Sequence, residues 1–414
     1  MTQEVSQTEM SKMNANSVDK TDEQRHEPLE NTQETSKRVD SLLIWGQYEP
    51  VVDVNNVKRE DENQNIKNKS SSEKDDLDIK HNMSTPIDNF ELAKEFFHQN
   101  FFLLFVCMLS GLYTLMFIPS IARLLFYTNN SDTPSKTFHR YLNTLNHTIQ
   151  WYLTPHRRKT SLTTVRKLHT TAVKQILSRI KKENVAVTEN GAVPMSQYDL
   201  VLTQWAFIGP VLTQPQNIGF NDITKTQMKY LVNQMYIVGR DLGIDDKFNL
   251  CTGSIEDVIV YAKDIENRLI RPALEHNEDF KSMSQHLIEG MNILNLFIDP
   301  FAFPAWVHKL FGTQKSYLTR FEMIKSSKTW AIYHLQCFLF EQVLKNRLMR
   351  WCVIGILNTL MDLNVYMANR FGQKITEKYY PSGMGLPLHL WICGIASYIK
   401  LRLTITINKC SKLA

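Results

Sequence analysis

Leu162-Thr-Thr-Val-Arg-Lys-Leu-His-Thr-Thr-Ala-Val-Lys-Gln-Ile176 decides the fold class. Its apolar residues Leu162, Val165, Leu168, Ala172 and Ile176 recur three and four apart, the spacing of one face of an α-helix. The same period governs the chain from about residue 90 onward. It predicts helices over Met228 to Leu242, Ile255 to Ile270, Phe280 to Phe297, Lys328 to Lys345 and Leu348 to Phe371. Breakers fall between them, at Pro194, Pro210 to Pro215, Pro272 and Pro300 to Pro304. Alternating apolar and polar runs of strand length are few, and glycine is sparse at 15 residues. An all-α domain is the expectation. Asp299-Pro-Phe-Ala-Phe-Pro-Ala-Trp306 reads as an aromatic-rich interruption, packed on the core as a loop or lining an apolar channel.

Working outward, His169 borders this stripe, and Arg166 lies one turn away on the same side. In the preceding segment Arg140 and Thr144 are four apart and share a helical face. A neutral imidazole on an apolar face, with an arginine nearby, suits an iron-porphyrin. That group takes one axial nitrogen and a cation for its charged substituents. A histidine in such a place is more often a core residue satisfied by its neighbours.

The order R-x-x-x-T, then R-x-x-H, resembles the haem-dependent MpaB and latex-clearing rubber oxygenase catalytic-domain family. The likeness continues in Met195-Ser-Gln-Tyr-Asp-Leu-Val-Leu-Thr-Gln-Trp-Ala-Phe-Ile-Gly209 and in Gly239-Arg-Asp-Leu-Gly-Ile-Asp-Asp-Lys-Phe-Asn-Leu-Cys251. Upstream, Ser110-Gly111 and Pro119 match the family's opening helix. The resemblance covers roughly residues 91 to 380. It implies a globin-like helical core with extra helices, haem b as cofactor and His169 as its proximal iron ligand. Arg140, Thr144 and Arg166 would line the pocket, with Arg140 and Thr144 on the catalytic side. The chain departs from the pattern where rubber oxygenases carry a distal lysine, here Asn143, and an arginine, here Val173. It departs again where relatives read His-x-Trp-Arg and this chain has Asn233-Gln-Met-Tyr236. The implied activity is a haem-dependent oxygenase acting with dioxygen on a hydrophobic, isoprenoid-like small molecule or lipid. The alternative is a non-catalytic, membrane-associated helical protein that binds haem, lipid or a protein partner.

Residues 1 to 90 are rich in Asn, Gln, Ser and charged side chains and poor in aromatics, so they are expected to be disordered. Val39-Asp-Ser-Leu-Leu-Ile-Trp-Gly-Gln-Tyr48 stands apart as a short docking segment or an isolated apolar cluster. The helical domain is expected over 91–380, and a C-terminal helix or tail over 381–414, packed on the domain or a membrane. A net charge of +5 is small for 414 residues. Basic runs such as Arg157-Arg158-Lys159 lack the interleaved aromatics of a nucleic-acid surface, so no nucleic-acid partner is expected and the runs read as solvated helix ends. The six cysteines stand far apart without C-x-x-C or zinc spacing. No nucleotide loop, zinc-protease or serine-hydrolase motif occurs.

Glu95 to Arg123 encloses no charged residue, and Phe101 to Ile118 is 18 residues of near-continuous apolar sequence. That is the lower limit for a membrane span, yet a helix buried inside protein reads the same way. Flanking charges give no orientation. A membrane location, at the endoplasmic reticulum, is expected, with this segment as the candidate anchor. Asn129 and Asn146 lie in glycosylation sequons.

Overall fold

In the computed structural model, the structure describes residues 36–47, 49–50, 86–183, 194–276, 281–292, 298–313, 327–374 and 398–399. Among these the fold is all-α. The helices are α1 (Pro86–Gln99), α2 (Phe101–Leu115), α3 (Pro119–Tyr127), α4 (Pro134–Trp151), α5 (Pro155–Glu183), α6 (Gln197–Thr213), α7 (Lys225–Leu242) and α8 (Ile255–Ile265). A π-helical turn, Glu266–Ile270, leads from α8 into α9 (Arg271–His276). Then come α10 (Lys281–Asn292), α11 (Ala302–Leu310), α12 (Ser327–Phe338) and α13 (Arg347–Lys374).

The starts of α6, α7 and α8 are fixed by the same local device. Ser196, Thr224 and Ser254 each accept from the backbone N–H three residues on, while Asp199, Gln227 and Asp257 reach back to the cap's own N–H. Helix α7 ends at Gly243, whose φ of 103° suits a residue without a Cβ.

Helices α2 and α6 cross at the centre of the molecule, and every residue of α2 is buried. Its hydroxyls are satisfied within the helix: Ser110 donates to the Val106 carbonyl and Thr114 to that of Gly111, each at 2.7 Å. The crossing is close because Gly111 has no side chain. A Cβ there would lie 2.1 Å from the Ala206 carbonyl oxygen. Phe101 to Ile118 is therefore the core helix of the fold together with its following turn; of the two readings left open by the sequence, a helix buried inside protein is the one its packing matches. Its apolar sequence is met on all sides by protein. Among the described residues Arg347–Gln373, within α13, is instead the helix long and apolar enough to cross a membrane by itself.

Between α1 and α2 the chain turns by 85°. Asn358 of α13 secures the break: its Oδ1 accepts from Phe102 N at 2.9 Å, and its Nδ2 donates to the Gln99 carbonyl at 2.8 Å. Asn369 of α13 exchanges two amide hydrogen bonds with Asn146 of α4, at 2.7 and 3.0 Å.

Most of the polar 1–90 segment lies outside the described residues; of the two readings of Val39 to Tyr48, the docking segment is the one that its packing matches. Helix α1 begins at Pro86, and residues 36–50 form an arm docked on α6–α8. Val39 and Leu42 are wholly buried. Arg38 donates to the carbonyls of Asn249 (2.8 Å) and Thr252 (3.2 Å) and lies 4.1 Å over the Tyr261 ring. Asp40 pairs with Arg268 and Glu49 with Lys247. Two buried apolar side chains, one arginine and two ion pairs seat this piece.

Asp299 to Trp306 is corrected in part from a loop: Ala302 to Trp306 is the start of α11, and residues 299–301 form the turn that leads into it. Asp299 accepts from the N–H groups of Phe301 and Ala302 at 3.0 Å and so caps the helix, while Trp306 is buried against Phe340. The expected C-terminal segment 381–414 lies outside the described residues apart from 398–399, where Tyr398 meets Tyr366.

Candidate functional site

Helices α4 and α5 form an antiparallel pair joined by the short turn at Tyr152 to Thr154. The pair is clasped near that turn, where Ser161 Oγ meets His147 Nδ1 at 2.8 Å and accepts from Trp151 Nε1 at 3.2 Å. Arg158 donates to Gln234 Oε1 at 2.7 Å, tying α5 to α7; this arginine is half-buried rather than a solvated helix end. Gln234 in turn donates to the Trp151 carbonyl, so the Asn233 to Tyr236 row joins helices here.

Farther along α5 the buried stripe runs Leu162, Val173, Ile176. At 100° per residue His169 falls at the middle of that stripe, while Leu168 turns outward and is 57% exposed. The stripe is thus rotated from the one the sequence suggested: His169 occupies a core register and Leu168 does not. Val173 fills the next inward position.

His169 Nδ1 is shut off from solvent and has no hydrogen-bond partner among the described residues. Loss of water around the ring, and then the charge of Arg140, push its pKa down to about 4. It is a neutral imidazole at physiological pH, although the residue as a whole keeps some exposure. Arg140 reaches it from α4. Its Nη1 donates to Thr128 Oγ1 and Ser131 Oγ, both at 3.2 Å, and burial lowers its pKa from the usual arginine range. The Ser131 carbonyl also lies 3.4 Å from His286 Nδ1 of α10.

Two candidate residues are thereby brought together, His169 and Arg140. Thr144 shares the Arg140 face but spends its hydroxyl proton on the Arg140 carbonyl at 3.1 Å. Arg166 stands on the exposed side of α5 and Asn143 on the exposed side of α4. Thr128 and Ser131 escaped the sequence reading. They precede Arg140 by 12 and 9 residues across the α3–α4 turn, and no helical spacing links them to it.

A separate small cavity of about 20 Å³ lies among α1, α2, α4, α6 and α7, walled by Phe97, Phe101, Met108, Tyr152, Phe207 and Met235 among others. It is apolar and about the size of one water, so it should be dry. None of the four candidate residues lines it.

An iron-porphyrin needs from the protein a single neutral imidazole nitrogen and a cation for its carboxylates. His169, a neutral imidazole, and Arg140, held in place from α3, meet those two demands in kind, while the His169 Nδ1 has no open space beside it and the cavity described above adjoins neither residue. No cluster of three or more His, Cys, Asp or Glu side chains that would hold a bare metal ion occurs among the described residues. No protein-family model, curated protein or solved structure matches the chain.

Proposed function

We propose that this chain binds haem b through His169 and acts as an oxygenase on a hydrophobic, isoprenoid-like substrate at the endoplasmic-reticulum membrane. The observation that carries the reading is the buried, partnerless Nδ1 of His169, in a ring that stays neutral well below physiological pH. A buried polar atom without a partner is costly, and ligation or an acceptor brought by a ligand would relieve it. The order and spacing of the Arg140–Thr144 and Arg166–His169 motifs, resembling the MpaB and rubber oxygenase family, supply the identity of the ligand and the reaction class.

When bound, haem would supply dioxygen activation. The chain's own contributions are more limited. His169 would hold the iron, and Arg140, braced by Thr128 and Ser131, would neutralise a carboxylate. Thr144 retains its oxygen as an acceptor, since its proton is already committed. Arg166, exposed on α5, would touch only the rim of such a site.

A second reading, a non-catalytic protein that binds haem, lipid or a partner, is favoured by a specific observation. Neither Asn143 nor Arg166 is turned into the protein, and the Thr144 hydroxyl serves its own helix. Purified protein supplied with haem should show a Soret band that His169→Ala abolishes; full retention of the band by the variant removes His169 from the ligand role. Incubation of the haem-loaded protein with prenylated lipids and labelled dioxygen then separates the readings. Label in a product supports the oxygenase, and stable binding without label across a broad panel supports the second reading.

A further inference from the structure

The large apolar side chains exposed on this molecule are not scattered. Eight of the fourteen among the described residues fall between Trp330 and Leu360. On α12 they are Trp330, Leu335 and Phe338. On α13 Leu348 (73% exposed), Trp351 (78%) and Ile356 (61%) lead, with Met349 and Leu360 beside them. At 100° per residue the five on α13 lie on one side of that helix, and an exposed apolar face of this kind marks an interaction surface.

Its other face explains how α13 is held. Ile354, Met361, Val365 and Ala368 are buried against the domain, and Asn358 and Asn369 tie the helix to the α1–α2 break and to α4. Arg350 pairs with Asp222. The free apolar stretch from Leu348 to Leu360 spans roughly 20 Å at 1.5 Å per residue, short of the ~30 Å hydrocarbon core of a bilayer. A docked α13 therefore cannot stand across a membrane, despite its total length.

Charge selects the occupant. Residues 327–374 carry six Lys and Arg (Lys328, Lys345, Arg347, Arg350, Arg370, Lys374) against two acids, Glu341 and Asp362. Glu341 is already paired with Lys309. Lys345 and Arg347 are exposed where the stripe begins, and Arg370 is exposed at the far end. Apolar side chains flanked by cations, with a tryptophan among them, form the pattern of a helix lying in a lipid interface.

We propose that the exposed face of α13 lies flat on an anionic bilayer, inserting Leu348, Trp351 and Ile356 among the lipids without crossing them. This goes beyond the haem reading and does not depend on it; it gives the membrane location a surface and an orientation.

The test is flotation of the full chain with phosphatidylcholine vesicles, with and without phosphatidylserine, alongside a Trp351→Glu, Ile356→Glu double variant. Both altered side chains are exposed, so far-UV circular dichroism and Tm should match the parent. The parent should float with the anionic vesicles, and the variant's bound fraction should fall at least tenfold. Cys352, exposed on the same stripe, should react with a maleimide several-fold more slowly when vesicles are present. A parent that remains at the bottom of the gradient with both vesicle types overturns the proposal, as does a variant that floats equally well. Protection of Cys352 without vesicles, in a chain that light scattering shows to be dimeric, would assign the face to a second copy and overturn it too. The Soret experiment can fail while flotation succeeds, or the reverse.

Discussion

At the residue scale His169 shows what sequence spacing can and cannot deliver. Its distance from Arg140 and Thr144 pointed to two helical faces, and the fold does bring Arg140 to it. The exact rotation of α5 was not legible, because Leu168 and His169 are adjacent and either could head the stripe. What decides is tertiary: Leu162, Val173 and Ile176 pack inward, which places His169 between them. The braces on Arg140 were invisible for a related reason. Thr128 and Ser131 become its neighbours only through the turn that follows α3. A pH dependence follows from the depressed pKa. The folded chain keeps His169 neutral down to about pH 4, whereas an unfolded one protonates it near 6.5. Between those values the unfolded state binds more protons, so stability falls as pH drops and levels off below about 4. The loss from this residue is at most about 3.4 kcal/mol. Urea unfolding of the haem-free protein and of His169→Leu at pH 7 and pH 4.5 checks it: the gap between the two pH values should narrow in the variant. An unchanged gap would mean that the ring is not held neutral by its surroundings.

At the scale of elements, helix positions were read well and their environments less so. The periodicity placed α7, α8, α12 and α13 close to where they lie, since an amphipathic face imposes its own period. The three capping boxes mark helix starts that residue types alone reveal. Helix α2 lacked that asymmetry. A segment apolar all round carries no information about which apolar medium surrounds it, and only the crossing with α6 shows that the medium is protein. Conversely, α13 carried charged and amide residues that hid a lipid-like face. The α2–α6 crossing yields a prediction. Gly111→Val must push the Ala206 backbone away, and overpacking of this kind costs about 3 kcal/mol or a little more. Chemical denaturation should show that loss, whereas Gly355→Ala on α13, where a Cβ meets nothing within 4 Å, should be neutral or slightly stabilising. Equal effects at the two glycines would contradict the close approach at 111.

On the scale of the whole molecule, the arm at 36–50 shows that a polar stretch can contain a structural piece that composition averages away. Its ties reach α6, the loop before α8, α8 itself and the π-helical turn that follows it. Arg38→Ala removes two charged hydrogen bonds and the contact with Tyr261, a loss of about 2 kcal/mol. Limited proteolysis should then cut within 36–50 faster than in the parent while α2 and α6 remain intact; an unaltered cleavage rate would show that the arm is held by its apolar residues and ion pairs without Arg38. The Asn146–Asn369 pair has a consequence for where the domain can be made. A sugar on Asn146 would replace one of the two protons on the amide nitrogen that bonds Asn369 and set a bulky group at the α4–α13 contact, so it would oppose the docking of α13. Asn146 leaves the ribosome 223 residues ahead of its partner. Threaded into a secretory lumen, it would meet the glycosylation machinery long before α13 was synthesised; on the cytosolic face it stays bare until its partner arrives.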